Sequence, residues 1–270
     1  AQSQISVSGV LPGKVGYAAF KLDKPDNVKI TGTGGIYEDN EDDWQTLVFY
    51  GWIVDSESRK VVWHQIDVMD KMDLDYGDFN FQDNVSLKKG TYELYFTGAY
   101  VSRDNYWETN VSNIFSSSKT DDFRSNLPSS SFFGVINKIK FKNSYLEELT
   151  ISASSASMIK ADASEILKSK VANAITTILK PTRDSNIKNG FSLSAPTSIR
   201  IYAIGEGRRE EQYDYAWIYD VDSRKRVWEM DKFNTDYAGG DDKNVMFKGT
   251  VTLPAGNYIL NYASDDSHFY

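Results

Sequence analysis

The residues best suited to chemistry in this sequence are carboxylates in short loops. Hard cations such as Ca²⁺ bind several oxygen atoms within a short, bent loop. The acidic residues predicted to hold a structural calcium are Asp241, Asp242, Asp265 and Asp266. Their spacing does not match an EF-hand, so the alternative is that they are ordinary solvated loop residues.

A second set of loop residues is predicted to contact a ligand or a partner. Tyrosine rings stack on sugars and on other proteins, and Tyr76 and Tyr237 lie beside acidic residues in predicted loops. The full predicted set is Tyr76, Tyr237, Asp265, Asp266 and His268. The alternative for each tyrosine is that it closes its own loop.

Catalysis has little support in the residue types present. The chain has no cysteine, which excludes a thiol nucleophile, a thiolate zinc site and a disulfide. It has only two histidines, and His64 follows Trp63 on a predicted strand. There is no nucleophile elbow, P-loop or His-Glu-x-x-His motif. The remaining enzymatic alternative is a pair of carboxylates that hydrolyses a glycosidic bond. Because the other catalytic motifs are missing, we predict a protein that is not an enzyme and has no cofactor apart from calcium.

The charge and the apolar pattern of the sequence limit which partners and surroundings the protein can have. A net charge of −8 and a pI near 4.9 argue against nucleic acid, whose phosphates require clustered basic residues. The chain has no apolar run of about 18 residues, so we predict no transmembrane segment. It begins Ala1-Gln2-Ser3-Gln4, as a chain does after removal of a signal peptide. We therefore expect an exported bacterial protein in the periplasm, at the cell surface or outside the cell.

The sequence contains an internal duplication. The segment 52–63 matches 217–228 without a gap, with eight of twelve positions identical. Three flanking blocks match in the same order: 20–30 with 191–201, 75–76 with 236–237, and 87–94 with 253–260. Four matched blocks in one order predict two copies of a single module.

Each copy has the pattern of an antiparallel β-sandwich. Apolar residues alternate or run continuously over short segments, and Gly, Pro, Asn and Asp separate them at turn-like spacing. The acidic pentapeptides 55–59 and 220–224 are predicted hairpin loops between strands that carry tryptophan. Because large residues repeat at matched strand positions, all four tryptophans of these strands are predicted to lie in the core: Trp52, Trp63, Trp217 and Trp228.

The predicted fold class is all-β, with two tandem antiparallel β-sandwich modules of jelly-roll or immunoglobulin-like type joined by one amphipathic α-helix. The modules are expected at 1–152 and 183–270, with the linker at 153–182. Apolar residues at three-to-four spacing predict the helix over 157–180, ended by Pro181. We expect its apolar stripe to pack on a sandwich, and the alternative is a partner-binding or membrane-surface helix.

Motifs of the second module suggest a family. In order they are Phe191-x-Leu193-x-x-Pro196, Gly205-Glu206-Gly207, Leu253-Pro254-Ala255-Gly256 and Asp265-Asp266-Ser267-His268. Together they resemble a repeat of uncharacterised exported proteins from Bacteroidetes-like and related bacteria. The resemblance covers the second module closely and the first loosely. It implies an exported β-sandwich and no particular activity.

We expect the second module to lack its last strand, because the sequence stops at Tyr270 before counterparts of Tyr106-Trp107 and of 126–136. The explanations are a truncated sequence, a module that is complete without the strand, or an edge completed by another chain.

The observations together predict a structural or interaction protein that presents β-sandwich surfaces to a protein partner or to copies of itself. The main alternative is a carbohydrate-binding module, in which loop tyrosines and aspartates hold a glycan and calcium stabilises the loops.

Overall fold

The computed structural model describes residues 3–10, 14–39, 44–69, 77–102, 148–182, 184–208, 211–241 and 243–265. The chain divides into two compact units, unit 1 (Ala1–Ile166) and unit 2 (Leu167–Tyr270). Strands dominate the described residues of both units, and every strand pair described is antiparallel. The prediction of an all-β fold is confirmed.

The elements of unit 1 are β1 Ser3–Ser8, β2 Val15–Leu22, β3 Asp26–Asp39, β4 Trp44–Asp55, β5 Val61–His64, α1 Ile66–Met69, β6 Gly77–Leu87, β7 Gly90–Ser102, β8 Thr150–Ser155 and β9 Met158–Ala161. The strands form a nine-stranded sheet with the path β1-β8-β3-β4-β7-β2-β9; β5 pairs with β4, and β6 with β3. Helix α2, Ala163–Val171, straddles the boundary between the units.

The strands described in unit 2 are β10 Asn186–Leu193, β11 Thr197–Arg208, β12 Glu211–Asp220, β13 Lys225–Glu229, β14 Asp236–Tyr237, β15 Asn244–Leu253 and β16 Gly256–Ala263. These seven strands follow the path β10-β16-β12-β11-β15-β14, and β13 pairs with β12. Only the first residues of β12 pair with β11, and the remainder pairs with β16 and β13. This switch of partner gives two layers, as in a β-sandwich.

The core of unit 2 lies between these two layers. Leu193, Ile218 and Tyr258 come from the layer of β10, β16, β12 and β13, and they cluster with Ile199 and Leu253 of the other layer. Alternation along each strand produces this arrangement, because every second side chain points to the same face. Unit 1 has its own larger core, in which Phe20, Ile53 and Leu94 are fully buried.

The two predicted hairpins with tryptophan on their strands are confirmed. In unit 1, β4 and β5 pair with Ile53 opposite Trp63. In unit 2, β12 and β13 pair with Ile218 opposite Trp228. Each pairing shifts register beside the isoleucine, between Ile53 and Val54 in one hairpin and between Ile218 and the next residue in the other.

The hairpin loops have the same local hydrogen bonds. The Oδ1 atoms of Asp55 and Asp220 each accept the backbone N–H groups two and three residues further on, at distances of 2.6–3.2 Å. An aspartate that bonds its own loop in this way favours a turn. Arg59 and Arg224 then adopt left-handed φ angles of 64° and 56°. The matched sequence thus produces matched backbone geometry.

An aromatic pair also occurs at matched positions. Phe20 stacks on Tyr92 with ring centroids 5.3 Å apart, and Phe191 stacks on Tyr258 at 5.3 Å. Each tyrosine hydroxyl donates a hydrogen bond to the backbone carbonyl four residues before it. These bonds close the turns that precede β7 and β16.

The helix prediction is corrected by the structure. Residues 158–161 form strand β9, which pairs with β2 and buries Met158. The helix starts only after Asp162, whose Oδ1 accepts the N–H groups of Ser164 and Glu165 as an N-cap. It ends at Val171, and no residue of α2 is buried. Its apolar residues Ala163, Ile166 and Val171 are partly buried, so packing of this stripe on a sandwich stays a prediction.

Three of the four tryptophans are buried as predicted, and the two on the second hairpin strands differ in their polar contacts. The Trp63 Nε1–H donates to Asp83 Oδ2 at 2.8 Å. The buried Trp228 Nε1 has no hydrogen-bond partner among the residues that the structure describes, and Gly249 occupies the position matching Asp83.

We expect Asp83→Ala to reduce the free energy of unfolding by about 1–2 kcal/mol, because it leaves a buried donor without an acceptor. Thermal unfolding of the variant checks this expectation. Asn84→Ala, on the exposed neighbouring residue, is the matched control. Equal effects of the two substitutions would contradict a role for the hydrogen bond.

Candidate functional site

Four charged residues meet at one end of unit 2. Glu206 lies near the end of β11, Asp214 near the start of β12, Lys243 directly before β15, and Asp265 two residues after the end of β16. Lys243 Nζ lies 2.8 Å from Glu206 Oε2, and the Asp265 N–H donates to Asp214 Oδ1 at 2.9 Å. We call these four residues the charged cluster. Because neighbouring strands are antiparallel, all four positions fall at the same end of the unit.

Burial raises the pKa of two of these carboxyl groups. Asp214 is 4% exposed. Burial is the main reason that its pKa rises to about 7, and the negative charges of Glu206 and Asp265 add to the rise. Burial also raises the pKa of Glu206, while the Lys243 ammonium opposes that rise. The charged cluster is therefore costly to ionise completely.

Two glycines allow the strands to converge there. A Cβ atom on Gly205 would lie 2.0 Å from the Asp214 carbonyl oxygen, so only glycine fits at that crossing of β11 and β12. The Gly207 N–H donates to the Lys243 carbonyl at 2.9 Å. The Gly205-Glu206-Gly207 motif thus places one buried carboxylate between two close backbone approaches.

The predicted site residues that the structure describes lie around this cluster. Asp265 belongs to it. Asp241 Oδ1 accepts the Lys243 N–H at 3.1 Å and so shapes the turn before β15. The Tyr237 hydroxyl donates to the Gly240 carbonyl at 2.7 Å, so this half-exposed tyrosine closes its own loop. The remaining candidates lie outside the described residues: Tyr76, Asp242, Asp266 and His268.

The charged cluster holds strand ends together. Among the described residues, no three His, Cys, Asp or Glu side chains are placed so that they could hold a metal ion. Calcium binding at Asp241, Asp242, Asp265 and Asp266 stays a prediction, since two of the four lie outside the described residues. The described carboxylates of the cluster make hydrogen bonds and an ion pair within the protein.

A second group of side chains lies on the outer face of the layer of unit 2 that contains β10, β16, β12 and β13. Along β12, Ala216 and Ile218 are buried in the core, so alternation places Trp217 on the outer face. Tyr215 is partly buried beside it and also packs against the core. The ring centroids of Tyr215 and Trp217 are 5.2 Å apart. The Arg226 guanidinium lies over the Trp217 ring, 4.8 Å from its centroid. Trp217 is only half-buried, unlike the other three tryptophans of the duplicated segments.

An ion pair within β13 orients the guanidinium. Glu229 lies opposite Trp217 in the pairing of β12 with β13, and its Oε2 is 2.7 Å from Arg226 Nη1. Tyr215, Trp217, Arg226 and Glu229 are called here the aromatic face. Both charged side chains are about half exposed, so the ion pair orients Arg226 and contributes little to stability.

The matching face of unit 1 is buried and more aromatic. Tyr50 and Trp52 occupy the positions that match Tyr215 and Trp217. Trp52 stacks on Tyr95 at 5.3 Å with an angle of 8° between the rings, and on the other side it lies beside His64. Trp52 and His64 are 6% and 5% exposed. Positions that are covered in unit 1 are therefore partly open to solvent in unit 2.

His64 is part of the packing in unit 1. Its Nδ1 accepts the Ile66 N–H at 3.1 Å. The sequence predicts that His64 lies on a strand, and its neighbours there are the rings of Tyr50 and Trp52.

Unit 1 also contains a buried network around Glu93. Arg59 Nη1 lies 2.7 Å from Glu93 Oε1, and the Ser56 hydroxyl donates to the same oxygen at 2.7 Å. The Tyr95 hydroxyl donates to Glu93 Oε2. Burial, followed by the Glu93 charge, raises the pKa of Tyr95. With three donors around one carboxylate, this network joins the hairpin loop to β7.

Sequence reasoning missed Glu206, Asp214 and Lys243 as individual candidates. One of the three, Glu206, lies within a motif that carries the family resemblance, and two glycines flank it. Their convergence depends on strand pairing between segments far apart in the chain. The flanking glycines were the only local signal for Glu206.

No family model matches the chain, and a search of curated proteins found no match. The family resemblance of the second module therefore stays a prediction. Within the described residues, no helix is long and apolar enough to span a membrane.

Proposed function

We propose that the chain is a non-catalytic, exported protein that binds a protein partner through the aromatic face of unit 2. The observation that carries this proposal is the row of Tyr215, Trp217 and Arg226, held in contact on a half-exposed sheet face. Tyr, Trp and Arg are the residue types enriched where protein interfaces gain most of their binding energy.

The row is already ordered in this structure. The guanidinium is placed by Trp217 on one side and by Glu229 on the other. Side chains that are held in position before binding lose less entropy when a partner arrives. The aromatic face therefore has the rigidity of a binding surface as well as its composition.

A protein partner suits this face better than a glycan does. A sugar ring needs an uncovered aromatic face on which to stack. Tyr215 contacts Trp217, and Arg226 lies over its ring. The surface of unit 2 presents a row of ring edges and a guanidinium. The ring edges can pack against side chains of a partner, and the guanidinium can bind a carboxylate.

The proposal includes descent of both units from one module. Support comes from matched hairpin registers, matched Asp-capped loops and matched Phe–Tyr pairs. On this interpretation, one copy retained a covered outer face and the other an open one. Binding is accordingly assigned to unit 2.

The test compares the intact chain with Arg226→Gln as immobilised bait for exported proteins of the source organism. The captured protein is identified by mass spectrometry, purified and titrated against both baits by calorimetry. We expect Arg226→Gln to weaken the affinity at least tenfold, because it removes a charged hydrogen-bond donor and the cation–π contact.

Arg200→Gln is the matched control, since it makes the same charge change at an exposed position on β11. Equal affinities for Arg226→Gln and the intact chain would contradict the proposal. Binding of a glycan that quenches tryptophan fluorescence, with no protein captured, would favour a carbohydrate-binding module instead.

A further inference from the structure

We infer that Phe233 is an anchor residue of unit 2 that inserts into an apolar pocket of the partner protein. This inference rests on the proposed function and adds a residue outside the aromatic face. Phe233 lies in the loop 231–235, between β13 and β14. It is 86% exposed, the highest exposure among the large hydrophobic residues that the structure describes.

The loop that carries Phe233 is locked by its own hydrogen bonds. Asp231 Oδ1 accepts the N–H groups of Phe233 and Asn234 at 2.7 and 3.1 Å. Asn234 Oδ1 accepts the Asp231 N–H at 3.0 Å, and the Thr235 hydroxyl donates to the Asp231 carbonyl at 2.8 Å. A single exposed apolar side chain is ordinary on a protein surface. Phe233 is distinguished by the hydrogen bonds that hold the backbone on both sides of it.

The base of the loop is fixed to the core. Met230 is 1% exposed, and its N–H donates to the Ala216 carbonyl at 2.9 Å. The Asn234 Nδ2 donates to the Glu229 carbonyl at 2.8 Å. A support of this kind fixes the backbone of Phe233, so only the side-chain torsions of the ring lose freedom when it enters a pocket.

The loop is continuous with the aromatic face. It starts two residues after Glu229, the residue that lies opposite Trp217 and pairs with Arg226. Asn234 bonds the backbone of that same Glu229. A partner that covers the aromatic face along β13 therefore meets the Phe233 loop at the end of the strand.

Charge argues for a protein pocket and against a membrane. Asp231 and Asp236 flank the ring, and the chain carries a net charge of −8, so anionic lipid would repel this surface. One phenyl ring alone does not anchor a protein stably in a bilayer. The Lys232 ammonium lies 4.9 Å from the Phe233 ring centroid. A partner pocket that fits Phe233 and Lys232 is as wide as one phenyl ring and has a carboxylate at its rim.

The test places a photo-crosslinking benzoylphenylalanine at position 233 of the intact chain, and at Val221 in a parallel sample. Val221 is an exposed apolar loop residue of the same unit and is the matched control. The probe is the partner purified through the aromatic face. We expect position 233 to crosslink to apolar partner residues beside an Asp or Glu, and position 221 to give no crosslink.

Affinity separates this inference from the proposed function. Phe233→Ala should weaken partner binding about 30-fold with thermal stability unchanged, since the ring makes few contacts within the chain. If Arg226→Gln weakens binding but Phe233→Ala does not, the anchor is overturned and the proposed function stands. If neither weakens binding, or no partner is captured, both are overturned. Crosslinking only to a second copy, or to phosphatidylcholine vesicles, also overturns the anchor.

Discussion

Asp214→Asn is expected to stabilise unit 2 at pH 9 and to leave its stability unchanged at pH 4. The asparagine Oδ1 can still accept the Asp265 N–H, so the hydrogen bond between β12 and the end of β16 is kept. The substitution removes only the negative charge that burial makes unfavourable. It therefore isolates the cost of ionising one buried carboxylate.

The sign follows from the pKa in the two states. The pKa of Asp214 rises from its ordinary value of 3.8 in the unfolded chain to about 7 in the folded chain, chiefly through burial. Between these values the folded state binds more protons, so this group's contribution to stability falls as pH rises, and it is lost fully above pH 7. We expect the variant to gain about 2 kcal/mol at pH 9, a value discounted for solvent screening of the site.

Urea unfolding at pH 4, 7 and 9, followed by tryptophan fluorescence, measures the difference. Amide hydrogen exchange in β12 and β16 assigns the difference to unit 2. Asp220→Asn is the control at the other end of the same strand, where hydrogen bonds from Ser223 lower the pKa of the carboxyl group. It should destabilise at neutral pH, the opposite sign. A constant gain for Asp214→Asn at all three pH values would contradict the argument.

The hairpins could be predicted because their determinants are local. In each one an aspartate bonds the next turn of backbone, and apolar residues alternate on both sides. Strand β9 could not, because its four residues are strand only by pairing with β2, more than a hundred residues earlier. Its apolar spacing also fits a helix. Tertiary pairing overrode that local pattern at 158–161.

The charged cluster was harder to predict than the hairpins. The chain has 38 acidic residues, and the sequence does not show which of them are buried. Glu206 and Asp265 belong to two motifs almost sixty residues apart, and only strand pairing brings them together.

The aromatic face was partly predictable. The repeat located Trp217, but because large residues recur at matched strand positions it also predicted that Trp217 is core. In the structure the matching Trp52 is buried and Trp217 is partly exposed.

Arg59→Gly and Arg224→Gly are expected to change stability in opposite directions, although the residues occupy matched loop positions. Both have left-handed φ angles, which glycine adopts without strain. Arg224 is exposed, so its replacement should raise the free energy of unfolding by about 0.5 kcal/mol after the entropy cost of glycine. Arg59 pairs with Glu93 at 2.7 Å, and both side chains are nearly buried.

The loss of Arg59 leaves a buried carboxylate without its cation, at a cost of about 3 kcal/mol that the relief of strain only partly offsets. The net expected change is a loss of about 2 kcal/mol, measured by urea unfolding at pH 7. Glu93→Gln with Arg59→Gly then completes a double-mutant cycle, and the second substitution should restore part of the loss. Equal effects of the two glycine substitutions would mean that the backbone angle, and not the ion pair, determines stability at this turn. The two copies thus provide a comparison inside one chain, because they share the turn and differ in the carboxylate beneath it.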